Sequence, residues 1–84
     1  MILCWAAKGW EDYLYWQATD KQALKRINAL IKDIQRNPHE GLGNPEPLRH
    51  NWSGYWSRCI DREHRLVYKA AGEMIIIVQC RYHY

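Results

Sequence analysis

The stretch Ile75-Ile76-Ile77-Val78-Gln79-Cys80-Arg81-Tyr82-His83-Tyr84 decides how the rest of the chain is read. Its first four residues are β-branched, the composition of a strand with a neighbour on each side. The run then turns polar and aromatic without Gly or Pro, so the same strand is expected to carry Arg81, Tyr82, His83 and Tyr84 onward. Alternate residues of a strand share a face. Gln79, Arg81 and His83 therefore fall on one side, and Cys80, Tyr82 and Tyr84 on the other. A guanidinium, an imidazole and two phenols in this position form either a reactive surface or a capped sheet edge, and the stretch alone does not choose.

Upstream, Tyr55 to Ile60 and Arg65 to Lys69 read as two strands joined by the charged turn Asp61-Arg62-Glu63-His64, and Ala71-Gly72-Glu73 turns into the final strand. Arg65 and Val67 point to one face, Leu66 and Tyr68 to the other, so neighbouring strands can bring Arg65, Arg81 and His83 together. A one-residue slip in register would separate them. Met1 to Trp5 is a short apolar strand, and Gly9 is expected to separate it from a helix. In that helix Trp10, Tyr13, Leu14 and Gln17 keep the spacing of one face, with Glu11 and Asp12 in the first turn. The aromatic stripe Trp10, Tyr13, Trp16 suits a core or a partner's groove better than an RNA platform. Thr19 with Gln22 reads as a capping box opening a second helix, whose apolar face is Leu24, Ile27, Leu30, Ile31 and Ile34 and which ends at Asn37-Pro38. The order β-α-α-β-β-β is that of an α+β fold: one domain over residues 1–84, two N-terminal helices against a largely antiparallel sheet.

Eighty-four residues make a marginal core unless large side chains fill it or a partner covers it, and five Trp and six Tyr supply that area. The net charge of +3 is a weak bias, but it is unevenly composed. Residues 1–44 carry four Lys and two Arg, whereas the rest carries Lys69 and five Arg: Arg49, Arg58, Arg62, Arg65 and Arg81. The planar fork of Arg grips phosphate in two places, so the second half is where an anionic ligand such as RNA is expected, although solvation accounts for any single Arg. Three Cys without paired spacing, and no apolar stretch long enough for a signal peptide or a membrane span, point to a reducing, cytoplasmic setting away from membranes. Cys80 and His83 are too few ligands for zinc, so neither metal nor cofactor is expected.

Between Pro38 and Trp52, Gly41, Gly43, Pro45 and Pro47 exclude a continuous helix or a central strand. Pro45 and Pro47 restrict the backbone around Glu46 and present its carboxylate at a fixed place, although an ordinary exposed glutamate is the plainer reading. A carboxylate on a rigid loop, an Arg on a strand and a His match the needs of metal-free RNA cleavage. That reaction requires a base for the ribose 2′-hydroxyl, a cation on the phosphate and an acid for the leaving oxygen. Glu46, Arg65 and His83 match those roles in type.

Trp10 through Trp16, Asn44-Pro45-Glu46-Pro47-Leu48, Trp56-Ser57-Arg58, Glu63-His64-Arg65-Leu66-Val67-Tyr68 and Cys80-Arg81-Tyr82-His83-Tyr84 resemble the YoeB toxins of the RelE/ParE superfamily across essentially the whole chain. The resemblance implies a fold similar to microbial ribonucleases and a toxin of a type II toxin–antitoxin pair that cleaves messenger RNA in the ribosomal A site. It implies Glu46 as general base, His83 as general acid, Arg65 as stabiliser of the phosphorane and Tyr84 as a positioning or stacking group. Arg49 would keep a basic charge after the glutamate, and a YefM-like antitoxin would be the partner. A homodimer stays open. Cys59 departs from the pattern, since close relatives carry Arg there; losing one phosphate contact weakens RNA binding and its salt dependence more than the chemistry. Two alternatives remain at this level: a non-cleaving module that binds ribosome or antitoxin and acts in operon autorepression, and a free ribonuclease.

Overall fold

In the computed structural model, which describes all 84 residues, the chain runs β1 (Ile2–Trp5), α1 (Ala7–Thr19), α2 (Lys21–Arg36), β2 (Glu46–Pro47), a 3-10 turn (His50–Trp52), β3 (Trp56–Cys59), β4 (Arg65–Ala71) and β5 (Met74–Gln79). The β-branched run is indeed flanked on both sides. The sheet order is β1-β5-β4-β3-β2, with β1 parallel to β5 and every other pairing antiparallel. Both helices cover one face. Ile27, Leu30 and Ile34 of α2 meet Leu66, Tyr68, Ile75 and Ile77 of the sheet, all fully buried, with Trp16 of α1 beside them. Each such aliphatic side chain removed from water contributes about 1.5–3 kcal/mol.

The α2 periodicity and its end at Asn37 are as the sequence indicates, but its start is not. Asp20, rather than Thr19, caps the helix, its carboxylate accepting from the amides of Gln22 and Ala23 at 3.0 and 3.1 Å. Thr19 donates its hydroxyl back to the Tyr15 carbonyl inside α1. Gly9 does not separate strand from helix either: α1 begins at Ala7, and Gly9 is buried within it. The reason is contact with β5, because a Cβ at Gly9 would lie 2.5 Å from the Ile77 carbonyl oxygen. This contact also rotates α1, so that Gly9, Asp12 and Trp16 face inward while Trp10 and Leu14 are exposed.

Past β5 the chain does not continue as a strand. Cys80 is held by α1 instead: its amide donates to the Asp12 carboxylate at 3.0 Å and its carbonyl accepts from the Trp16 indole at 2.7 Å. Lys8 supplies the counter-charge to the buried Asp12 at 2.8 Å. Burial, followed by the Asp12 charge, pushes the Cys80 thiol up to about 12, so it stays protonated and unreactive. At Tyr82 the backbone turns to φ +64, and the strand alternation expected for residues 81–84 is lost.

Alanine usually stabilises a helix relative to glycine by about 1 kcal/mol. At Gly9 the sign is expected to reverse, with Gly9→Ala costing about 1–3 kcal/mol by overpacking against β5. Urea denaturation of the two proteins measures it.

Candidate active site

The face of the sheet away from the helices, here the open face although Ser57 and Val67 at its centre are buried, is set by register. Across four strands Glu46 lies opposite Ser57, Ser57 opposite Val67, and Val67 opposite Gln79, while on the next rung Cys59 lies opposite Arg65. Partners in an antiparallel ladder share a face. Glu46, Ser57, Cys59, Arg65, Val67 and Gln79 therefore stand together on the side away from the helices. A register irregularity between Val67 and Tyr68 makes this possible, because it pairs Tyr68 with Ile77 and Val67 with Gln79, leaving Val78 as the extra residue.

Glu46 is exposed, flanked by its prolines, with the Asn44 amide 3.4 Å from its carboxylate. It lines a cleft of about 510 Å³ together with Arg49, His50, Trp52 and Tyr84. Arg65 is half-buried and gives both hydrogens of Nη1 to the carbonyls of Asp61 and His64, at 2.8 and 3.1 Å. Its Nε and Nη2 hydrogens remain available to a ligand. His83 is exposed and packs against Tyr84 with ring centres 4.6 Å apart and planes tilted by 34°, which puts the imidazole beside a residue of the Glu46 cleft. Gln79 reaches from the open face to the carbonyls of Arg81 and His83.

Two of the arginines expected on RNA are elsewhere. Arg58 is 0% exposed. Its Nε donates to the Tyr68 hydroxyl, Nη1 to the Asp33 carboxylate at 2.6 Å and the Leu42 carbonyl, and Nη2 to the carbonyls of Asn37 and Glu40. All five donors are thus used inside the protein, and none is left for a phosphate. Arg81 lies 3.5 Å from the centre of the Tyr15 ring and 4.5 Å from that of Tyr82, on the α1 side, because the bend after β5 carries it away from the open face. Arg62 is exposed in the turn after β3, and Arg49 is in the cleft. His50 and Trp52 of the cleft were not singled out from sequence. The left-handed backbone of His50, φ +57, that aims this turn has no local signature.

The profile of YoeB-like toxins of bacterial type II toxin–antitoxin systems matches residues 5–84. The toxin YoeB of Escherichia coli K12 is 58% identical over 84 residues, covering all of both chains. This chain belongs to the YoeB toxin family. The YoeB of Streptomyces coelicolor is 54% identical over the whole of both chains. Among solved structures, a YoeB/ParE toxin from Agrobacterium tumefaciens superposes with a TM-score of 0.97 at 46% identity over all of both chains. The toxin in a YoeB–YefM complex from Staphylococcus aureus superposes at 0.92 and 45%, covering all of this chain and 98% of that one. YafQ of Escherichia coli, 18% identical with a TM-score of 0.74 over 96% of this chain and 91% of its own, shares the fold. The protein is thus a toxin of the type II toxin–antitoxin class with the RelE-like α+β fold.

Arg58→Met is expected to lower stability by about 3–5 kcal/mol, the scale for removing one partner of a buried ion pair. A residue that only touched RNA would leave denaturation unchanged. The Asp33 carboxyl is held below its ordinary value by the Leu42 amide and then by Arg58. At Asp61 partial burial acts upward, but the amides of His64 and Glu63 outweigh it and the net shift is also downward. Both groups stabilise the fold above their unfolded pKa, and that contribution is lost as pH falls through the lower folded values. The melting temperature is therefore expected to drop below about pH 4, the ordinary carboxylate range, and to drop less steeply in Asp33→Asn.

Proposed function

We propose that the protein is an endoribonuclease that cuts messenger RNA in the ribosomal A site without a metal ion. The observation that carries this reading is the common face and cleft: Glu46 and Tyr84 line one cavity, Arg65 stands on the same sheet face as Glu46, and His83 packs against Tyr84. Glu46 and Arg65 are two strands apart and offset by two residues along the sheet, about 12 Å between backbones, which leaves room for a nucleotide between carboxylate and guanidinium. Glu46 takes the proton of the ribose 2′-hydroxyl, and the freed oxygen attacks the adjacent phosphorus. Arg65 offsets the charge that builds on the non-bridging oxygens, using the donors not committed to Asp61 and His64. His83 gives a proton to the departing 5′-oxygen, and Tyr84 stacks on a base. The products are a 2′,3′-cyclic phosphate and a 5′-hydroxyl.

Dependence on the ribosome is supported by charge. With Arg58 inside the core and Arg81 packed on Tyr15, Arg49, Arg62 and Arg65 are the arginines of the second half still open to phosphate. So few phosphate contacts give weak binding to free RNA at physiological salt. Positioning must then come from the ribosome, which places the activity in the cytoplasm. The partner is a YefM-like antitoxin, by analogy with the Staphylococcus aureus complex, and self-association is supported by the YoeB dimer of that organism.

The test adds purified protein to bacterial ribosomes programmed with end-labelled message. A new end at an A-site codon bearing cyclic or 3′-phosphate is expected, with Glu46→Gln and His83→Ala each reducing the rate by about 10²–10⁴-fold. Ribosome-free message is expected to be cut far more slowly. A 3′-hydroxyl end would rule out attack by the 2′-oxygen and with it the roles of Glu46 and His83.

A further inference from the structure

Tyr82 is the last residue before the His83–Tyr84 pair, and its peptide is held on both sides. Its amide donates to Nδ1 of His64 at 2.7 Å, and its carbonyl accepts from the Arg65 amide at 3.0 Å. The two holders are consecutive residues at the start of β4. A backbone amide only donates, so Nδ1 of His64 must present its lone pair, which leaves the ring proton on Nε2. Nε2 lies 3.9 Å from the Glu63 carboxylate.

The ring has little freedom to do anything else. Its side chain is 12% exposed, and its ring packs perpendicular to the Trp16 indole, 4.8 Å between centres at 81°. Its own backbone is fixed in the turn, the amide donating to Asp61 at 2.8 Å and the carbonyl accepting from Ile60 at 3.0 Å. The residue it holds is left-handed, φ +64, a conformation that a tyrosine adopts only when its surroundings impose it. That bend turns the chain off the direction of β5 and sends Tyr84 into the cleft beside Glu46.

We propose that His64, acting as a neutral hydrogen-bond acceptor, is a positioning residue for the catalytic end of the chain: it locks the left-handed bend at Tyr82 that aims His83 and Tyr84 at the cleft. It touches neither RNA nor the reacting atoms. The inference rests on the proposed cleavage reaction for its effect on rate, but the latch itself is independent of that reaction.

The experiment compares His64→Phe with His64→Asn. Phenylalanine keeps a ring against Trp16 and removes the acceptor, whereas the side-chain oxygen of asparagine restores an acceptor near the position of Nδ1. In the programmed-ribosome assay, His64→Phe is expected to lower kcat on the order of 100-fold with KM nearly unchanged, the scale for misplacing a catalytic group by an ångström. His64→Asn is expected to recover most of that loss. Two readouts need no activity. Nitrogen NMR of the wild-type imidazole should show Nδ1 unprotonated and Nε2 protonated, and hydrogen exchange at the Tyr82 amide should be slow in wild type and His64→Asn but fast in His64→Phe. A proton on Nδ1 in the wild type, equal Tyr82 protection in both variants, or wild-type kcat in a His64→Phe protein that has lost that protection would each overturn the proposal. If no protein cleaves message while Tyr82 protection follows the acceptor, the latch stands and the cleavage reading falls. Should His64→Phe fail to fold, the wild-type tautomer and the His64→Asn measurements still decide.

Discussion

The buried guanidinium of Arg58 is the interaction on which the rest of the structure depends. It ties α2, through Asp33, to β4, through Tyr68, and holds the carbonyls of Asn37, Glu40 and Leu42 in the segment that leads to β2. Asp33 completes the arrangement by accepting from the Leu42 amide. Burying a cation is tolerable only when every donor is matched, and here each one is. The segment is further clamped at Gly43, whose carbonyl accepts from the Cys59 amide at 2.7 Å, and Glu46 emerges three residues later opposite Ser57. The placement of an exposed carboxylate is thus set by a charge that never meets solvent.

The remainder of the candidate site is fixed from the other end of the sheet. β5 delivers Gln79 to the open face, α1 grips Cys80 through Asp12 and Trp16, and the turn before β4 holds Tyr82. Residues that lie beyond the last strand hold a fixed place only when they are tied down. Here the tie is backbone hydrogen bonding at alternate residues, Cys80 and Tyr82, and it leaves the rings of His83 and Tyr84 exposed and packed against each other.

What could be read in the sequence was what short-range pattern controls. The 3.6-residue spacing of Ile27, Leu30, Ile31 and Ile34, the β-branched run in β5 and the turn at Asp61–His64 each depend on neighbouring residues, and each is where the pattern indicated. Apart from the start of α2, where Asp20 rather than the neighbouring Thr19 takes the cap, the misreadings involve partners far away in the chain. Gly9 looks like a breaker until β5 is laid across it. The extra residue at Val78 changes which residues face the cleft, and nothing in a run of β-branched side chains marks it. Arg58 is the instructive case. It shares the parity of Trp56 and Ile60, so alternation alone points it inward, yet its charge argues for solvent; only the acceptors gathered from residues 33, 37, 40, 42 and 68 settle the conflict. Glu46 could be picked out because two prolines frame it, whereas the cleft around it needed the turn at His50.

The sheet order has a consequence for how the protein comes into being. β1 is the first strand made, and its sheet partner is β5, made after every other element. Until residues 74–79 leave the ribosome, β1 has no ladder to join, α1 lacks the backbone against which Gly9 packs, and β4 has one neighbour instead of two. Such non-local pairings form late, after loop closure has been overcome. A growing or truncated chain therefore exposes its apolar helices, and the groups on α1 and at the start of β4 that hold Cys80 and Tyr82 wait without their partners. The candidate site comes together only with the closing of the sheet, and incomplete products, though sticky, carry no assembled site.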